Sequence, residues 1–285
     1  MTTDHGVRPQ YKSMVLNIRC PAKVNLFLAV GPKDRRNYHP LRTIFQAIDL
    51  CDHIKIELGS GNHSVVFDDP TIPAENTVTK ALRLLNEVIS LPPLLITIQK
   101  QIPPESGFGG GSSNAAAIIR AAQRIARVTI PTGELDGIAQ AVGMDVPFFL
   151  VGGRAKGERY GDKVQPLPDE PTQWFVIARP NVGSSTPEAY RRLDDLSFDW
   201  QDFPESDRLY NDFERVAQVE SLSLMSQLKV LGASDVALSG SGSAVFGRFQ
   251  SRQIALETTE KMTQNYAPSV WTARSLSRAE SLEID

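Results

Sequence analysis

The sequence predicts an α+β protein of two domains. Strand-like and helix-like segments mix without strict strand–helix alternation, a connection rich in proline and charge (residues 162–172, DKVQPLPDEPT) separates two halves, and each half carries its own glycine-rich turn. A chain of 285 residues is long enough for either one large core or two smaller ones. The expected division is a polar tail over 1–13, an N-terminal domain over 14–168 and a C-terminal domain over 169–285. Ligands favour domain interfaces, so the site is expected in the cleft between the halves.

The elements follow in order. Residues 14–30 are rich in apolar and β-branched side chains and are interrupted at Pro21, which predicts two strands around a bend. Residues 31–37 (GPKDRRN) form a charged turn. Residues 41–58 alternate apolar and polar side chains, predicting two more strands broken near Asp52. Val78, Ala81, Leu82, Leu85 and Val88 fall at helical spacing, so 76–89 is read as a helix. A short strand over 94–99 leads into the first glycine turn. Helices over 112–127 and 132–142 and a strand over 148–158 close the first half. The second half opens with a strand over 174–178, followed by helices over 187–193 and 214–231. Two strands around the second glycine turn occupy 233–249, and a helix over 253–264 and a strand over 270–273 end the chain.

Composition narrows the class. Hydrophobic residues make up 41% and charged residues 22%, the balance of a folded globular chain. The formal net charge is −3 and no run of Lys or Arg forms a basic stripe, which argues against nucleic-acid binding. Residues 1–13 lack the apolar core of an export signal, and no stretch reaches the roughly 20 apolar residues of a membrane helix. A cytoplasmic protein with no membrane partner is expected, with Cys20 and Cys51 as reduced core thiols. His5 and His63 read as surface residues and His53 as a strand-end residue. None has the spacing of a metal ligand.

The strongest local signal is Ser106-Gly107-Phe108-Gly109-Gly110-Gly111-Ser112-Ser113, followed by an alanine-rich run. Glycines permit backbone angles and close approaches that a Cβ forbids, and Ser112 or Ser113 can cap the helix that follows. A helix start offers unpaired N–H groups and partial positive charge, so the loop is either a cradle for phosphate oxygens or a flexible turn before a capped helix. It lacks the Gly-Lys-Ser/Thr of a Walker loop, and the last glycine and distal acid of a dinucleotide fingerprint. The second turn, Ser239-Gly240-Ser241-Gly242, is either a plain hairpin or a second set of donors closing over the same ligand.

Lys23 and Asn25 alternate along an apolar segment and share one face, either as solvated edge residues or as lining of a site. Asp145 precedes Val146-Pro147-Phe148-Phe149 and is either a turn residue or a carboxylate that orients a substrate hydroxyl. Phosphate cradle, cation and nucleophile-positioning group are the parts phosphoryl transfer requires. Tyr38 and His39 follow the charged turn, as exposed turn residues or as a platform for a flat base.

Taken together, PAKVNLFL at 21–28, GFGGGSSNAAA at 107–117 and SGSG at 239–242 resemble the three motifs of the GHMP kinases. NYH at 37–39, TIFQAIDL at 43–50, DVPFFLVGG at 145–153, Ser185-Thr186 with Ala189-Tyr190, and the NDFE run at 211–214 extend the resemblance over about residues 14–249. It implies a two-domain GHMP kinase-like architecture, with ATP as donor and Mg²⁺ carried with the triphosphate. Within that family the resemblance implies an acceptor with a cytidine diphosphate group, a methylerythritol phosphorylated on its 2-hydroxyl in the non-mevalonate isoprenoid route, by a monomer or weak homodimer. Lys23 and Asp145 would be the catalytic pair. Asn76 and Lys100 would lie near the nucleotide base, with Ser106, Gly107, Phe108, Gly109, Gly110, Gly111, Ser112 and Ser113 around its phosphates. Tyr38 and Tyr190 would sandwich the cytosine and His39 would read its edge, with Phe45 nearby. Asn25, Thr186, Gly240 and Ser241 would complete the substrate side. Glu105 and Pro40 depart from the residues usual at their positions. Two alternatives stay open: a kinase of another small alcohol, or a nucleotide-binding homologue that has lost catalysis.

Overall fold

The computed structural model describes residues 14–266 and 269–285; the expected tail, with His5, lies outside the described residues. In chain order the strands are β1 (Val15–Val30), β2 (Leu41–Leu58), β3 (Ser64–Phe67), β4 (Leu94–Gln99), β5 (Arg154–Glu158), β6 (Lys163–Pro166), β7 (Trp174–Arg179), β8 (Tyr210–Asn211), β9 (Asp235–Leu238), β10 (Val245–Phe249) and β11 (Ser269–Arg274). The helices are α1 (Thr77–Asn86), α2 (Gly110–Ala126), α3 (Thr132–Val142), α4 (Val146–Val151), α5 (Thr186–Asp194), α6 (Val219–Val230), α7 (Arg252–Asn265) and α8 (Arg278–Ser281), with a 3₁₀ turn over Asp212–Val216.

Two sheets carry the fold. The larger has the order β3-β4-β2-β1-β8, with β5 pairing β2 and β6 pairing β5. The smaller is antiparallel, in the order β11-β7-β10-β9. The long strand β1 supplies all three layers of apolar packing. Leu16, Ile18 and Cys20 join the core beneath α1, α2 and α4. Ala22, Val24 and Leu26 meet Phe175, Ile177, Ala237 and Phe246 of the smaller sheet. Leu28 and Val30 reach the core beneath α6 and α7. Lys23 and Asn25, at the intervening positions, are turned away from the inter-sheet core.

Several expected boundaries move, each for a physical reason. β1 runs unbroken through Pro21, because a register shift between Pro21 and Ala22 absorbs the missing donor. β2 runs unbroken through Asp52, whose carboxylate is fully satisfied from outside its own strand. The irregularity falls two residues earlier, where Pro21 pairs with Cys51 but Ala22 pairs with Ile48. The start of the expected 148–158 strand is instead the helix α4, with Pro147 in its first turn and Gly152 and Gly153 at φ of +69° and +62° releasing the chain into β5. The 162–172 connection contains β6, which folds back antiparallel on β5. The 214–231 segment divides into the 3₁₀ turn and α6 at Ala217 and Gln218. Helix α1 ends at Asn86, leaving Val88 exposed. His53 lies within β2, paired with Arg19 and Gln99, not at a strand end. β3, β8 and α8 had no sequence counterpart.

Cys20 and Cys51 are buried free thiols. Among the described residues no helix is long and apolar enough to cross a membrane. Phe246 is fully buried between the sheets, edge-on to Phe175 with ring centres 5.8 Å apart. Phe246→Ala is expected to lower unfolding free energy by about 3–5 kcal/mol, measured by urea denaturation, because it opens a cavity where the two sheets meet.

Candidate active site

Lys23 is at the centre of the site. Its side chain is only 5% exposed. Nζ donates to Asn25 Oδ1 at 2.6 Å and stands 3.7 Å from Asp145 Oδ2. The amide of Asn25 donates to Thr43 Oγ1 at 2.8 Å, and the Thr43 hydroxyl donates to the Phe27 carbonyl at 2.7 Å. This chain of bonds fixes which end of Asn25 faces the ammonium. Burial pushes the Lys23 pKa below its ordinary 10.5, and the Asp145 charge pulls the other way. Asp145 keeps about a third of its side chain open to the cavity beside it.

The first glycine loop is bolted to the same residue through the backbone: Lys23 N–H donates to the Phe108 carbonyl at 2.9 Å. The Phe108 ring is fully buried in the inter-sheet core, so it anchors the loop and does not face a ligand. Gly109 takes φ +73° as the residue before α2, and a Cβ there would enter the Phe149 ring. Helix α2 therefore starts at Gly110, two residues before the expected boundary. Neither Ser112 nor Ser113 caps it; no side chain does. The first N–H groups of a 17-residue helix thus stay free at the loop.

The second glycine turn closes on the first. Gly107 takes φ +81°, and a Cβ there would fall far inside contact distance of the Ser239 carbonyl oxygen. Ser239 Oγ reaches the Gly107 carbonyl at 3.3 Å. Asn211 holds the turn by donating to the Leu238 and Gly240 carbonyls, both at 2.8 Å. Ser241 meets Thr186, oxygen to oxygen at 2.7 Å, and its carbonyl accepts from Ser184 Oγ at 2.9 Å.

Three cavities surround these groups. One of about 640 Å³ is lined by Asn76, Thr77, Lys100, Glu105, Ser106 and the loop from Gly107 to Ser112. A second of about 730 Å³ is lined by Tyr38, His39, Asp145, Tyr160, Thr186 and Tyr190. Between them a cavity of about 190 Å³ holds Lys23, Asn25, Phe45, Asp145, Gly107, Gly109, Gly240 and Ser241. Ser112 lines both large cavities.

Most of the predicted residues line these three neighbouring cavities, and Phe108 and Ser113 line none of them. Asn25 turns its oxygen to Lys23. Ser106 is buried and donates to the Pro103 carbonyl at 2.6 Å. Ser113 is buried within α2. Asn76 caps α1, accepting from the Val78 and Thr79 N–H groups. Lys100 lies under the loop, paired with buried Asp52. Phe45 is a buried wall 4.7 Å from Phe148, ring to ring. Tyr38 and Tyr190 line one cavity, each against a different aromatic neighbour. Tyr190 stacks on His39 at 5.0 Å, while Tyr38, 63% exposed, leans on Tyr160 at 5.7 Å. His39 Nδ1 donates to the Gly31 carbonyl at 2.8 Å and Nε2 lies 3.1 Å from Asp194. Burial and the Asp145 charge push the Tyr190 hydroxyl up to about 12, so it stays a neutral donor.

Sequence reasoning passed over Thr43, Asp52, Tyr160 and Asp194 as site residues. A lone carboxylate among apolar neighbours was the available signal for Asp52. Thr43 offers none, since threonine is ordinary in a strand.

This fold, two sheets with glycine turns meeting beside a buried lysine and its aspartate partner, is that of the GHMP kinases. A family model described as "GHMP kinases N terminal domain" matches residues 76–153. A homoserine kinase from Cytophaga hutchinsonii superimposes with a TM-score of 0.68 over 95% of this chain and 97% of its own, at 17% identity, a likeness of fold alone. Similarity to one branch is far higher. The 4-diphosphocytidyl-2-C-methyl-D-erythritol kinase of Solibacter usitatus is 34% identical over 87% of this chain and 86% of its own length. That of Geobacillus kaustophilus is 31% identical over 95% and 100%. A crystal structure of 4-(cytidine 5'-diphospho)-2C-methyl-D-erythritol kinase matches with a TM-score of 0.78 and 29% identity over 91% of this chain and 98% of its own. The chain belongs to the 4-diphosphocytidyl-2-C-methyl-D-erythritol kinase family.

Gly107→Ala is expected to cost at least about 1–3 kcal/mol in unfolding free energy, because the left-handed backbone and the Ser239 carbonyl both refuse a Cβ. Thermal denaturation beside Gly133→Ala, a glycine with open space around it, checks this.

Proposed function

We propose that this chain transfers the γ-phosphoryl of ATP to the 2-hydroxyl of 4-diphosphocytidyl-2-C-methyl-D-erythritol, in the non-mevalonate route to isoprenoid precursors. One observation carries the reading: the Lys23–Asp145 pair stands in a small cavity that joins a glycine-loop cavity to an aromatic one. The glycine-loop cavity, within residues 14–168, takes the nucleotide, with Asn76 and Lys100 toward the base and the α2 N–H groups toward the phosphates. The aromatic cavity takes the cytidine diphosphate end, between the 14–168 portion and residues 169–285. It offers Tyr38, Tyr190 and His39 to the flat base, and Thr186 and Ser241 to the acceptor's hydroxyls. Phe45, Gly240 and Asn25 shape the space where the hydroxyl arrives.

In this assignment Asp145 orients the 2-hydroxyl and takes its proton, and Lys23 keeps Asp145 ionised and steadies charge on the passing phosphoryl group. Lys23 is held by Asn25 and Thr43, so the ammonium needs no rearrangement at the moment of transfer. Among the described residues no group of three His, Cys, Asp or Glu could hold a metal. Magnesium fits as an ion delivered on the triphosphate, since it commonly takes one or two protein ligands beside substrate phosphates. Ser112, which lines both large cavities, is the donor that would hold it beside the phosphates, and it would supply charge neutralisation. The protein is proposed to act in the cytoplasm, as a monomer or weak homodimer.

The direct test is ADP release by the purified chain with Mg-ATP and the cytidyl acceptor. Turnover with mevalonate or homoserine but not with this acceptor overturns the reading. Asp145→Asn is expected to lower kcat by at least about 10²-fold, the scale of a lost proton-transfer group, while ADP binding measured by calorimetry is retained. Tyr38→Ala is expected to raise the acceptor KM about tenfold, the loss of one stacked base, with the ATP KM unchanged.

The rate should also fall on the alkaline side. Burial releases the Lys23 proton below 10.5. Activity that needs the ammonium is therefore full below the shifted pKa and is lost as pH rises through it. A kcat profile flat to beyond 10.5 would remove Lys23 from the charged role.

A further inference from the structure

We propose that Asp52, fully buried and remote from the acceptor, is a positioning residue for the nucleotide end of the site, acting through Lys100. The inference rests on reading the 640 Å³ cavity as the nucleotide's. Asp52 has no exposed surface. Its Oδ1 accepts from the Gln101 N–H at 2.8 Å and the Ile102 N–H at 2.9 Å. Its Oδ2 accepts from Asn114 Nδ2 at 3.0 Å and from Lys100 Nζ. Lys100 Nζ also reaches Asn114 Oδ1 at 3.3 Å.

The four donors come from both sides of the glycine loop. Gln101 and Ile102 lead into it from β4, and Asn114 lies in the second turn of α2, just beyond it. One carboxylate in the neighbouring strand therefore fixes both ends of the loop. It also holds the Lys100 ammonium beneath the start of α2, where a Cβ on Gly110 would lie 3.1 Å from it. A largely buried ion pair of this kind is weak evidence for stability, because desolvation offsets its attraction. Its return is a single geometry: Lys100 is placed at the cavity wall with its long side chain already ordered.

An amide at position 52 would break this arrangement selectively. Its oxygen could still accept from Gln101 and Ile102. Its NH₂ group would face two donors, Lys100 Nζ and Asn114 Nδ2, and would expel the ammonium from its seat.

The test uses the full chain, with Asp52→Asn, Lys100→Gln and the double variant, assayed with Mg-ATP and the cytidyl acceptor and by ADP calorimetry. Asp52→Asn is expected to raise the ATP KM and the ADP Kd about tenfold, the loss of one charge-assisted hydrogen bond, with the acceptor KM unchanged. Adding Asp52→Asn to Lys100→Gln should then change ATP KM little. A merely structural role would lower thermal stability and leave the ATP KM of the folded enzyme alone, and that result overturns the proposal. So would Asp52→Asn and Lys100→Gln effects that multiply independently. If Asp52→Asn does not fold, Asn114→Ser replaces it. Removing one of the four donors should raise ATP KM selectively and by less, and a wild-type ATP KM there also overturns the proposal. Wild-type protein that binds no ADP and turns over no ATP would instead remove the nucleotide reading itself.

Discussion

A buried ammonium is costly unless its surroundings are built for it, and much of this site is organised around Lys23. Its backbone N–H holds the first glycine loop through Phe108, and its side chain faces Asn25 and Asp145. Those contacts come from the same strand, a loop and a helix start that together span more than a hundred residues of sequence. Desolvation of the charged form, visible in the lowered pKa, is offset by the Asn25 oxygen and by the carboxylate. Removing either partner therefore leaves a buried charge poorly compensated as well as a missing hydrogen bond.

The same economy explains why the two glycine turns are inseparable. Gly107 and Ser239 approach so closely that no side chain fits between them. Ordinary side chains would hold the loops apart and open the small central cavity to water. The inter-sheet core supports this approach: Phe108 is embedded among Phe175, Ile177 and Phe246. Asn211 draws the second turn down by two carbonyls, and Asp212 accepts from the Val30 N–H at 2.8 Å, tying the turn's support to the end of β1. Packing energy spent between the sheets is thus converted into fixed backbone donors around the reacting groups.

How much of this was legible in the sequence depended on whether a residue's task is local. Glycine turns, the polar pair on β1 and Asp145 before its aromatics are local departures from an apolar pattern, and all of them line the central cavity or its neighbours. Asp52 was visible too, but as a strand break. A carboxylate in a strand looks disruptive until its four donors, from the segment just after β4 and from α2, are known. Pro21 misled in the same way, because the compensating register shift belongs to the partner strand. Helix α4 was hidden because Phe148 to Val151 is equally apolar as strand or helix, and only six residues do not show a period. Thr43 and Asp194 act solely through a second residue, and no spacing rule finds such a partner.

The aromatic cavity, the proposed acceptor end, is ordered by a short chain of contacts. Tyr190 is held between the His39 ring, stacked at 5.0 Å, and the Phe213 ring, edge-on at 4.9 Å. His39 in turn is held at Nδ1 by the Gly31 carbonyl, and its Nε2 lies 3.1 Å from Asp194, the last residue of the helix that carries Tyr190. Lys33, in the turn before Tyr38, also reaches Asp194. One carboxylate therefore sets the distance between the turn bearing Tyr38 and His39 and the helix bearing Tyr190. Tyr38 alone stays largely exposed, against Tyr160. Under the proposed assignment, a flat base entering this cavity meets one wall already ordered and one largely exposed side chain, so the ordering cost of binding falls mainly on that side chain.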